Sequence, residues 1–179
     1  MKKILLILIP IFIITGCGNM EETPTRKVEA FFNQYQTLDK SVLNNLDTVL
    51  MNDTSLTDNE RSDYRDFMKH HYQDLDYRIL EEKIDGNEAT VRVEVTVRSY
   101  ARALSDTENY RALNQEEFNT EAGEHDTGLF STYRLKELKK VTNTSSYIID
   151  VTLTKVNDKW RIDELSDEDL NKINGLYAG

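Results

Sequence analysis

The chain has 179 residues, with 32 Asp and Glu against 22 Lys and Arg and a formal net charge of −10. That acidic balance repels nucleic-acid phosphates and anionic lipid surfaces, which argues against both as direct partners of the folded part. A single cysteine, Cys17, excludes an internal disulfide and a cysteine-built metal site.

The chain opens on Lys2 and Lys3, followed by an apolar run from Ile4 to Ile14 and then small residues before Cys17. This is the plan of a secretory signal, and the run is shorter than the ~20 residues that span a bilayer. The stretch "ITGC", Ile14 to Cys17, resembles the lipobox of bacterial lipoproteins. The resemblance implies a diacylglyceryl group on the Cys17 thiol and cleavage just before it. Residues 1–16 are then the signal peptide, 17–22 the lipidated cysteine with a short tether, and 23–179 the folded domain. The membrane, reached through lipid on Cys17, becomes a partner, and the protein sits on the extracytoplasmic face of the cell membrane. Loss of residues 1–16, with Lys2 and Lys3, leaves 163 residues with 20 Lys and Arg against 32 Asp and Glu, a charge of −12. That length suffices for one domain with a core. The tether to Thr23 reaches roughly 20 Å.

Thr23-Pro24 reads as an N-cap with proline at the first helical position. Val28, Phe31, Phe32, Tyr35 and Leu38 recur at helical spacing, and Val42, Leu46, Val49 and Leu50 continue the stripe past a break near Asp39. "TDNE", Thr57 to Glu60, is a capping box. It predicts a helix from about Asp58 to Gln73, with Tyr64, Phe67, Met68, His71 and Leu75 on one face. The period then becomes two. Asp85-Gly86 marks a hairpin turn, and Val91, Val93, Val95 and Val97 alternate with Arg92, Glu94, Thr96 and Arg98, one face buried and one wet. Residues 100–143 are mostly polar and are read as one or two helices, the surer at about Thr127 to Lys140. A second hairpin turns at Asn157-Asp158, with Tyr147, Ile149, Val151 and Leu153 on one face and Trp160 and Ile162 returning. "SDED", Ser166 to Asp169, caps a short terminal helix.

The expected class is α+β: N-terminal helices on a curved antiparallel sheet of about four strands in two hairpins, with a helical insertion between the hairpins. "TPTRKVEAFFNQYQTLD" and "YIIDVTLTKVNDKWRIDEL" resemble the nuclear transport factor 2-like cone domain of small Firmicute lipoproteins, as does the tail "LSDEDLNKINGL". The resemblance implies a cone of helices on the concave side of the sheet. Some cone-fold members are enzymes with an Asp or His base and tyrosine donors in the cone.

Candidate cavity-lining residues are Phe31, Tyr35, Tyr64, Phe67, Met68 and Tyr147, on predicted inward faces. No catalytic residue is assigned, because no acid is placed among them. His70-His71 are adjacent, about 100° apart on a helix, so they do not share a metal. Glu121, Glu124, His125 and Asp126 lack the pattern of a calcium loop. No nucleophile elbow, glycine-rich phosphate loop or zinc signature is present, so neither metal nor cofactor is expected. The reading favoured by the sequence is a non-catalytic binding module for an envelope protein, a peptide or a small ligand. The alternatives are a small cone-fold enzyme and a homodimeric scaffold.

Overall fold

The computed structural model describes residues 22–53 and 56–178. The expected signal peptide, Cys17 and all of the tether but Glu22 lie outside the described residues. The order is α1 (Pro24–Gln36), α2 (Lys40–Asn52), α3 (Asp58–Asp74), β1 (Asp76–Asp85), β2 (Glu88–Arg98), α4 (Ala101–Leu113), α5 (Thr127–Leu138), β3 (Thr144–Val156), β4 (Lys159–Ile162) and α6 (Asp167–Ile173), with a 3₁₀ turn at Gln115–Phe118. The four strands form one antiparallel sheet in the order β1-β2-β3-β4. This is the α+β class expected, with α4 and α5 as the insertion between the two hairpins.

Local chemistry sets the helix ends. The Thr23 side chain caps α1 ahead of Pro24, and Asp39 caps α2 by accepting from the Ser41 N–H. The break between them falls at Leu38, which adopts a left-handed φ of 54°. Thr57 and Glu60 form the reciprocal capping box of α3. Asp126 caps α5 through the N–H groups of Gly128 and Leu129, which accounts for this member of the acidic 121–126 segment without a metal. Among the described residues, no group of three His, Cys, Asp or Glu is placed to hold a metal ion.

The hairpins differ in their turns. Asn157 and Asp158 both take positive φ, 51° and 62°, as a type I′ turn requires. In the first hairpin Asp85 pairs with Glu88, so the two-residue loop is Gly86-Asn87, one residue later than Asp85-Gly86 alone suggests. Strand β1 carries a bulge between Ile79 and Glu81. The extra residue re-phases the strand, so Ile84, opposite Ala89, shares a face with Ile79, opposite Val93. Half-buried and exposed residues accordingly alternate in β1 only as far as Ile79.

Three layers follow. Helices α1, α3 and α6 cover one face of the sheet, and α2 with the α4–α5 pair packs outside them. The main core lies between the first two layers. Val28 and Phe32 of α1, Leu75, the four valines of β2, Ile149, Val151 and Leu153 of β3, Trp160 and Ile173 are buried there. The opposite sheet face is polar. Arg92 makes a two-pronged contact with Asp150 at 2.7 and 2.8 Å, Arg78 meets Glu94 at 2.9 Å, and Thr96 meets Ser146 at 2.7 Å. The space between α1 and the sheet is thus filled.

Candidate functional site

A cavity of about 470 Å³ opens between the helix layers. Its wall takes residues from α1, α2, α3, α4, α5 and the tail after α6, and none from a strand. Helix α2 contributes Val42, Leu46, Val49 and Leu50, and α3 contributes Tyr64, Phe67, Met68 and Tyr72. Tyr35, Tyr100, Leu104, Leu138 and Leu176 complete the apolar surface, and Asn45, Asp53, Arg134 and Asn174 the polar part. The lining is aliphatic and aromatic with few polar groups, the composition of sites for small molecules.

Four of the six candidate residues, Tyr35, Tyr64, Phe67 and Met68, line this cavity. The other two face elsewhere. Phe31 packs at the margin of the main core, its ring 5.2 Å from that of Phe32. Tyr147 pairs with Val95 in the sheet, stands edge-on to Tyr177 at 5.5 Å and donates to the Tyr177 carbonyl at 3.4 Å. Tyr72 carries a sequence signal: it lies four and eight residues beyond Met68 and Tyr64 and so shares their helix face. Tyr100, Arg134, Asn174 and Leu176 carry none, because each comes from an element placed only by the tertiary fold.

Tyrosine hydroxyls supply much of the polar character. Burial raises the pKa of Tyr72 to about 12, helped by neighbouring Tyr35, and burial likewise raises Tyr100 to about 12. Burial also raises Tyr35 and Tyr64, the latter opposed by its hydrogen bond from Arg134. All four are neutral phenols at physiological pH. Only Tyr64 is engaged: it accepts from Arg134 Nε at 2.8 Å and donates to the Ser131 carbonyl at 3.5 Å. The hydroxyls of Tyr35, Tyr72 and Tyr100 have no hydrogen-bond partner among the described residues, although their rings pack on Phe31, Phe67, His71 and one another.

A larger hollow of about 550 Å³ is lined by Asp63, Asp66, His70, Asp74, Arg98 and Lys139 among others. Asp66 pairs with Lys69 at 3.0 Å and Asp74 with Arg98 at 2.8 Å, so it is a charged, solvated groove. At its floor His71 is 1% exposed, while His70 is exposed. His71 Nε2 lies 2.9 Å from the Ile173 carbonyl, which accepts only, so Nε2 carries the proton and the neutral Nδ1 is buried without a partner. Burial lowers its pKa from 6.5, against the Ile173 hydrogen bond and Asp74, with Arg98 assisting. The unfolded chain therefore takes up this proton first as pH falls, and stability present above about pH 6.5 is lost below it. Urea unfolding at pH 7 and pH 5 should show wild type losing more stability than His71→Gln, which keeps a donor for Ile173. Equal losses would contradict this.

No protein-family model and no curated protein matches the chain. Among the described residues, no helix is long and apolar enough to cross a membrane. A crystal structure of "a putative lipoprotein (ycdA)" from Bacillus subtilis subsp. subtilis str. 168 aligns with a TM-score of 0.45 at 13% identity. The alignment covers 79% of this chain and 47% of that one, so the chain spans about half the length of that structure.

Proposed function

We propose that this protein is a lipid-anchored binding module of the cell envelope. Its domain, of the nuclear transport factor 2-like type, takes a small apolar molecule into the cavity between its helix layers. The observation that carries the reading is the cavity itself: about 470 Å³, aliphatic and aromatic, with neutral tyrosine hydroxyls that no described residue claims. The reading is non-catalytic. Asp39, Asp47, Asp66 and Asp150 are held below the usual carboxylate range by hydrogen bonds from Ser41, Arg65, Lys69 and Arg92. All four lie outside the cavity, whose wall carries Asp53 at the end of α2, and a general acid needs a shift opposite to theirs. Anchoring rests on Lys2, Lys3, the Ile4–Ile14 run and "ITGC" ending at Cys17.

Binding is tested with N-phenyl-1-naphthylamine, an uncharged probe whose fluorescence rises in apolar surroundings, added to the chain from Glu22 onward. Leu104→Trp places bulk in the cavity and should weaken binding at least tenfold. Ile148→Trp, on the outer sheet face, should leave it unchanged. Equal binding by all three proteins contradicts the reading. Anchoring is tested by the intact mass of the membrane fraction, where a diacylglyceryl increment is expected on wild type and not on Cys17→Ala.

A further inference from the structure

We propose that the cavity selects a ligand with a carboxylate head and a single apolar chain, and that Arg134 holds the head. This rests on the cavity being the binding site. Arg134 is the cation among the residues that line it. Its Nε donates to the Tyr64 hydroxyl at 2.8 Å, and its guanidinium carbon lies 5.5 Å from the Tyr64 ring centre and 5.6 Å from that of Phe130. Two aromatic rings and a hydrogen bond thus orient the planar guanidinium. Among the described residues it makes no ion pair and no further hydrogen bond, so no described residue takes its Nη donors.

That is unexpected in so acidic a chain. Many of the other arginines are matched with carboxylates, among them Arg61 with Asp58, Arg65 with Asp47, Arg92 with Asp150, Arg98 with Asp74 and Arg111 with Glu108, while Arg161, exposed on β4, has no such partner among the described residues. The nearby acids are otherwise disposed. Glu60 turns one carboxylate oxygen onto its capping partner Thr57 and buries the other, and Asp53 lines the cavity at the C-terminal end of α2. An oriented guanidinium with free Nη donors matches a carboxylate in geometry and charge. Val42, Leu46, Leu50, Met68, Leu104 and Leu138 offer the aliphatic wall for the chain, with Met68 adaptable in shape.

The test is equilibrium dialysis of radiolabelled decanoate, decanol and decyltrimethylammonium against the full-length protein in lipid nanodiscs, with empty nanodiscs subtracted. Decanoate should bind at least tenfold tighter than decanol, and decyltrimethylammonium weakest, as a charge-assisted hydrogen bond predicts. R134Q should bring decanoate to the level of decanol, while R134K keeps part of the preference. Equal affinity for decanoate and decanol in wild type overturns the carboxylate assignment and leaves the cavity reading standing. A preference that survives R134Q overturns the role of Arg134. Binding of none of the three overturns both readings. Where R134Q loses decanol as well, R134K decides: a retained preference supports the proposal, and its loss overturns it.

Discussion

Gly175→Ala should lower the stability of the domain by about 3 kcal/mol, and Gly86→Ala by only about 1 kcal/mol, although both glycines have a left-handed φ, +70° and +59°. The shared part is the cost of placing an alanine in left-handed backbone. The difference is local. A Cβ on Gly86 meets nothing within 4 Å, whereas one on Gly175 would overlap the Arg98 carbonyl oxygen. Backbone lies on both sides of that contact, so no rotamer relieves it.

Gly175 closes α6. Its N–H bonds the Lys172 carbonyl at 3.1 Å, the Leu176 N–H reaches the Asn171 carbonyl at 2.8 Å, and its own carbonyl accepts from the Tyr100 N–H at 2.7 Å. Substitution therefore detaches the segment that brings Asn174 and Leu176 to the cavity. Urea denaturation of the two variants measures the difference, with a melting-temperature gap of several degrees expected for a domain of this size. Equal losses would mean that the tail does not dock against the end of β2.

Phe32→Ala is expected to cost about 3–5 kcal/mol. Phe32 is fully buried, stacks on Tyr77 with ring centres 4.9 Å apart and 23° between planes, and joins α1 to the sheet. Neighbouring Phe31 only borders that core, so Phe31→Ala should cost less than half as much. Chemical denaturation of both variants checks the order. A reversal would place the wrong face of α1 on the sheet.

Much of this fold is legible from local chemistry. Thr23-Pro24, Asp39, the Thr57/Glu60 box and Ser166 each act over three or four residues, and the helices begin where they stand. The strict alternation of β2 and the Asn157-Asp158 turn set the hairpins in the same way. Helix α4 is harder to read because Thr107 is its one buried residue, so no apolar stripe marks it. The cavity is legible only in part. Tyr64, Met68 and Tyr72 share a helix face, a periodic signal. Arg134 and Leu176 reach the same space from elements distant in the chain, Arg134 being 70 residues from Tyr64, and no spacing rule spans that distance. Phe31 and Tyr147 do point inward, but alternation and helical period identify an inward face without saying which of two layers it meets.

The location of a bound apolar molecule tests the central claim most directly. In a methyl NMR titration of the chain from Glu22 onward with N-phenyl-1-naphthylamine, the resonances of Met68, Leu46 and Leu104 should shift together and saturate, while Ile148 on the outer sheet face stays fixed. Shifts centred on Ile148 and Leu80, or none at Met68, would contradict the account.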